Sequence, residues 1–126
     1  ESPIIFHNAI DFTNLSIGNN CHIGKNCFFD LRDNINIENN VTISMNTSMI
    51  THIQLGQATL NNIYKTKIGK IFINNGVYVG SNCNILMDVT IYNDCLIGAN
   101  SLVNKTIPSK SIAYGNPIRI IKKIDI

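Results

Sequence analysis

The chain has 126 residues, 44% of them hydrophobic, with a formal net charge of +2. That length predicts a single domain, 1–126. The mild charge, with no basic run beyond Lys122-Lys123, argues against a nucleic-acid partner. No apolar stretch approaches the roughly 20 residues that a membrane span requires, and no signal peptide is visible, so the protein is read as cytoplasmic. The chain begins at Glu1 without a Met, and some N-terminal sequence is expected to have been removed.

Residues 1–14 are irregular and are expected to cap the first coil. From residue 15 an aliphatic or aromatic side chain falls on a six-residue register. Ile17, Ile23 and Phe29 are six apart; eight residues separate Phe29 from Ile37; then Ile37, Ile43 and Met49 resume. The second half is cleaner: Ile73, Val79, Ile85, Ile91, Ile97 and Val103 keep the spacing, and Val77, Cys83, Val89, Cys95, Ser101 and Ile107 each follow four places later. A period of six suits neither a helix nor an ordinary sheet. It is the pattern of a β-solenoid. Within one unit Cys21 and Ile23 face one way and His22 the other. Stretches such as Gly18-Asn19-Asn20 then turn the corner, because Gly and Asn reach positive φ at modest cost.

These units predict an all-β triangular prism of short parallel strands. First coils occupy 15–52, an excursion loop 53–70, last coils 71–107 and a C-terminal tail 108–126. The stretch Asp30-Leu31-Arg32-Asp33-Asn34 is a longer step within the first coils. Insertions in a solenoid leave the prism as loops, often on the working face. The tail, Ile118 to Ile124, reads as a short strand or a helical turn.

Cys21, Cys27, Cys83 and Cys95 all take the small inward place of the repeat. Free cysteine serves well there, and no Cys-x-x-Cys or other close metal-type pair occurs. No metal and no cysteine acyl-enzyme is expected.

Two further stretches carry a family resemblance. Ile97-Gly98-Ala99-Asn100-Ser101-Leu102-Val103-Asn104-Lys105 resembles the Ile-Gly-Ala-Gly-Ser-x-Val-Thr-Lys of the hexapeptide-repeat acyltransferases. Ala113-Tyr114-Gly115-Asn116-Pro117-Ile118-Arg119 to Ile124 resembles their terminator. Met49-Ile50-Thr51-His52 stands where sugar O-acetyltransferases of that family carry their histidine. Tyr78 replaces a frequent Trp, Asn104 a Thr, and Leu86-Met87-Asp88 a Leu-Pro-Gly. These departures set the chain nearer the capsule and lipopolysaccharide enzymes than the maltose and galactoside ones.

The resemblance implies a left-handed parallel β-helix, working as a homotrimer with acetyl-CoA on a sugar or glycan hydroxyl. It implies His52 as general base, at a corner just before the loop. A backbone N–H, that of Ser81, would serve the developing oxyanion. It implies Tyr78, Ser81, Ala99, Asn104, Lys105 and Arg119 along the CoA channel. Asp30, Arg32 and Asn46, near the irregular step, are candidates for the acceptor pocket. His7 in the cap and His22 on an outward strand position are not expected to be catalytic, though a groove between prisms could bring His22 to a subunit contact. Two alternatives remain open at this level: a non-catalytic β-helix scaffold or CoA-binding module, and a γ-carbonic-anhydrase-like zinc enzyme.

Overall fold

The structure, a computed structural model, describes residues 5–6 and 11–126, with the backbone alone at residues 5 and 6. After β1 (Ile5–Phe6) and a short 3-10 turn at Phe12–Asn14, the chain winds into coils of three strands. The first coil holds β2 (Leu15–Ile17), β3 (His22–Ile23) and β4 (Phe28–Phe29). The second holds β5 (Ile35–Ile37), β6 (Thr42–Ile43) and β7 (Ser48–Met49). A hairpin of β8 (His52–Ile53) and β9 (Lys67–Ile68) separates it from the third coil. The third coil holds β10 (Ile71–Ile73), β11 (Tyr78–Val79) and β12 (Asn84–Ile85). The fourth holds β13 (Val89–Ile91), β14 (Leu96–Ile97) and β15 (Leu102–Val103), and β16 (Ser111–Tyr114) and β17 (Arg119–Lys123) close the chain.

Coil stacks on coil through parallel pairing. The first face is β2, β5, β10 and β13; the second is β3, β6, β11, β14 and β16, with β17 antiparallel at its end; the third is β1, β4, β7, β12 and β15. Like positions therefore sit above one another. Ile35, Ile71 and Val89 form one inward column, Ile43, Val79 and Ile97 another, and Phe29, Met49, Ile85 and Val103 a third. All of these are buried. A fully buried side chain of this kind contributes about 1.5–3 kcal/mol, so the stacked columns are the main source of stability.

The corners follow the sequence expectation closely. Asn20, Asn26, Asn40, Asn46, Asn82 and Asn100 all have φ between 58° and 61°. Asp88, Asp94 and Lys110 take the same left-handed turn, so the device extends beyond Gly and Asn. An asparagine ladder reinforces one edge: Asn39 Oδ1 accepts from the Asn19 amide, Asn75 Oδ1 from Asn39, and Asn93 Oδ1 from Asn75. These steps are 20, 36 and 18 residues long, and they record the extra step, the excursion loop and the regular coil in turn.

The small inward residues also have polar work. Thr47 Oγ1, Cys83 Sγ and Cys27 Sγ donate to the carbonyls of Gly80, Gly98 and Ser44 in the coil above, at 3.1–3.2 Å. The four cysteines are free thiols. Burial pushes Cys27, Cys83 and Cys95 above the ordinary thiol value, which suits packing and disfavours a thiolate nucleophile.

Three expectations are refined. Sheet pairing begins earlier than residue 15, since β1 pairs in parallel with β4, and the end of the expected cap is the 3-10 turn at Phe12–Asn14; residues 1–4 and 7–10, with His7, lie outside the described residues. Ile17 keeps the register but is 41% exposed, because it lies in the first described strand of its face and has a coil on one side only. The tail is a strand: β17 folds back on β16, with Tyr114 opposite Arg119. Among the described residues no helix is long and apolar enough to cross a membrane.

The columns dictate an asymmetric response to truncation. Ile73→Ala is expected to cost about 2–5 kcal/mol in urea unfolding at fixed protein concentration. The exposed Asn84→Ala is expected to stay within about 0.5 kcal/mol.

Candidate active site

Both irregular steps emerge at the same edge of the prism, between the third and first faces. The first supplies residues 30–34 and the second the whole 50–70 excursion. Asp30 continues the ladder, its N–H donating to the Met49 carbonyl at 3.0 Å. Thr51, fully buried, binds it twice more: its N–H donates to Asp30 Oδ2 at 2.9 Å and its hydroxyl to the Asp30 carbonyl at 2.7 Å. His52 then places Nδ1 at 2.6 Å from the same Oδ2. β8 carries His52 opposite Ile68 of β9, so the hairpin stem holds the imidazole at the prism's edge, outside the hydrophobic column and partly exposed.

This pairing selects a tautomer. An ionised carboxylate only accepts, so Nδ1 carries the proton and Nε2 is the basic nitrogen. Burial drives the Asp30 carboxyl up. The hydrogen bonds from His52 and the Thr51 amide, and the charge of a protonated imidazole, drive it down, and the net direction is below the ordinary value.

Asp30 thus differs from its expected place. It is 1% exposed and lies behind His52, so it does not face an acceptor surface. Its inaccessibility has a physical cause: the second coil stacks on its backbone, and Thr51 closes over it. Arg32 is exposed on the turn of the same edge. Asn46 is exposed at the opposite end of the third face, on the edge between the second and third faces.

The residues expected along a CoA channel divide between edges. Tyr78, 42% exposed on the second face, Ser81 and Ala99 lie along the second–third edge. The N–H groups flanking Ser81 are used, Gly80 on the Ile97 carbonyl and Asn82 on the Met45 carbonyl; that of Ser81 makes no hydrogen bond among the described residues. Arg119 stands exposed on β17, beside Tyr114 at the same end of the second face. Asn104 and Lys105 are exposed on the third–first edge, two coils beyond His52. Within one chain, His52 and the Tyr78–Ser81–Ala99 line therefore occupy different edges of the prism. Among the described residues no three His, Cys, Asp or Glu side chains converge as a metal group in one chain.

The parallel β-helix has counterparts among known proteins, and these include acetyltransferases. A family profile described as the hexapeptide repeat of succinyl-transferase matches residues 14–48. A presumed acetyltransferase of Staphylococcus aureus strain COL is 42% identical over 59 residues, 47% of this chain and 30% of that protein. The crystal structure of a maltose O-acetyltransferase from Clostridium difficile 630 superposes with a TM-score of 0.80 at 32% identity, over 90% of this chain and 60% of that one. A galactoside acetyltransferase in complex with coenzyme A gives 0.84 at 29% identity, over 98% and 60%. The chain thus spans less than two thirds of each of these relatives. The fold is a left-handed parallel β-helix, and in repeat and fold the chain is similar to hexapeptide-repeat acetyltransferases.

The Asp30 pairing makes an acid-stability prediction. A carboxyl whose folded pKa is depressed adds stability above its unfolded value of about 3.9 and loses it as pH falls through the folded value. Urea unfolding from pH 7 down to pH 2–3 is expected to show Asp30→Asn less stable near neutrality. Below about pH 4 its stability should fall less steeply than that of the unaltered protein.

Proposed function

We propose that this protein is an acetyl-CoA-dependent O-acetyltransferase acting on a hydroxyl of a sugar or glycan. The observation that carries the reading is the His52–Asp30 pair at the prism's edge, in a fold shared with sugar acetyltransferases.

In this reading His52 Nε2 takes the acceptor hydroxyl proton while that oxygen attacks the thioester carbonyl. The carbon–sulfur bond breaks, the acetyl group passes to the oxygen, and the proton goes on to the departing thiolate. No covalent acyl-enzyme intervenes. General base catalysis of this kind contributes about 10²–10⁴-fold. Asp30 acts through His52, holding its tautomer and stabilising the imidazolium. The Ser81 N–H, a fixed dipole on an edge of small residues, suits the developing oxyanion. Tyr78 walls the channel, Ala99 leaves room for the pantetheine arm, and Asn104 and Lys105 continue it. Arg119 meets phosphate with a planar fork of donors.

The separation of these groups onto two edges of one chain favours a site completed between copies, as a homotrimer would provide. One copy brings His52, and its neighbour brings the Tyr78–Ser81–Ala99 edge. The excursion loop supports this, since Leu60, Ile63 and Tyr64 are 50–70% exposed and have apolar surface to cover.

His52→Ala is expected to lower kcat by about 10²–10⁴-fold with CoA affinity retained; unchanged thioester turnover would remove His52 as base. Asp30→Asn should lower kcat while leaving KM for acetyl-CoA close to its starting value. Failure of CoA to bind in calorimetry would favour a scaffold role. Ile63→Glu is expected to weaken self-association in sedimentation, and an unaltered assembly would place the interface elsewhere.

A further inference from the structure

A second cleft, of about 370 Å³, opens at the N-terminal end of the second–third edge and is lined by His22, Gly24, Lys25, Ser44 and Met45. That volume is within the range of small-molecule sites, about 300–1,000 Å³. It joins the edge already described, because Ser44 Oγ lies 3.3 Å from the Tyr78 hydroxyl. The coils close tightly here: a Cβ on Gly24 would stand 2.6 Å from the Met45 amide nitrogen.

The distribution of charge sets this edge apart. Its corners, residues 24–27, 44–47, 80–83 and 98–101, contain no Asp or Glu, and neither do the strands flanking them on either face. The carboxylates of the described residues lie elsewhere. Asp30, Asp33 and Asp88 are on the third–first edge, and Glu38 and Asp94 on the first–second. Asp11 precedes β2 and Asp125 follows β17. The charged groups of the second–third edge are cationic, Lys25 at one end and Arg119 beyond the other, with the titratable His22 beside Lys25. Lys25 and His22 are both exposed. An ammonium with three donors and an imidazole around a carboxylate-free cleft favour an anion bound through charge-assisted hydrogen bonds.

We infer that the His22–Lys25 cleft is a specificity subsite for an acidic sugar acceptor, one bearing a carboxylate or a phosphate. This rests on the acetyl-transfer reading, which places the thioester on the same edge. Lys25 takes the anionic group, His22 and Ser44 hydrogen-bond the ring hydroxyls, and Met45 offers an apolar surface to the ring.

The test monitors the ring C–H signals of His22 by NMR, assigned by their loss in His22→Gln, with and without saturating CoA. The probes are galacturonate, glucose 6-phosphate and galactose at matched concentrations. Either anion or both should shift the His22 signals, and galactose should not; whichever anion acts identifies the recognised group as carboxylate or phosphate. Lys25→Gln should weaken that response about tenfold or more, which corresponds to about 1.4 kcal/mol, with CoA affinity unchanged. Equal shifts with galactose, silence with both anions, or full anion affinity in Lys25→Gln would overturn the inference. CoA provides the separate check: if it leaves the Tyr78 and Arg119 signals unmoved, the acetyl-transfer reading fails whatever His22 reports.

Discussion

The stacking of each coil on the one below it governs this molecule. Parallel pairing locks like positions into columns, so the one or two inward residues of each strand become part of a continuous buried stack. The left-handed turn at each corner makes the repeat possible, and asparagine reaches that conformation at low cost. A column of short strands has little core per coil. Its stability depends on every coil keeping register, which is why buried Thr47, Cys83 and Ser101 spend their donors on carbonyls rather than leaving polar groups unpaired.

Chemistry enters where register is broken. Both longer steps leave the prism at the third–first edge, one coil apart. In a regular coil the corner after the third face has no residues to spare. Here the extra length lets Asp30 turn under the coil above while Thr51 and His52 close over it. The insertion does more than carry a histidine outward. It creates a buried acceptor for that histidine's Nδ1 proton and so decides which ring nitrogen is basic. Two ion pairs nearby, Lys67–Asp88 and Lys70–Asp33 at 3.8–3.9 Å, are solvent-exposed or nearly so, and such pairs contribute about 0–1 kcal/mol at most.

Much of the fold was legible in the sequence because a repeat signals itself many times. The inward register from Ile37 to Ile107, the turning asparagines and the buried cysteines all follow from spacing alone. The position of His52 beside the excursion was legible too. The role of Asp30 was not. It directly follows inward-facing Phe29, and strand alternation sends the next side chain outward. Its burial depends on a contact with a residue 22 positions later, in the next coil, across a step whose length breaks the register. β1 was hidden for a related reason: Ile5–Phe6 precede any repeat long enough to establish a phase. The β8–β9 hairpin was missed because its two strands are two residues each, too short for a periodic signal.

Edges, rather than faces, carry the functional differences. The three faces are nearly equivalent, each a ladder of two- to four-residue parallel strands apart from the longer β17 at the end of one. The edges are not. One carries the asparagine ladder with Glu38 and Asp94, one the paired histidine and aspartate with both excursions, and one no carboxylate at all among the described residues. The corner conformation on the last edge is open to a carboxylate, since Asp88 and Asp94 adopt the same left-handed turn at the other two. Backbone geometry therefore does not account for their exclusion. With Lys25 at one end, Arg119 beyond the other and no carboxylate between them, this edge suits a ligand with negative charge at both ends. A CoA phosphate near Arg119 and an acidic acceptor near Lys25 would meet that description, with the thioester between them.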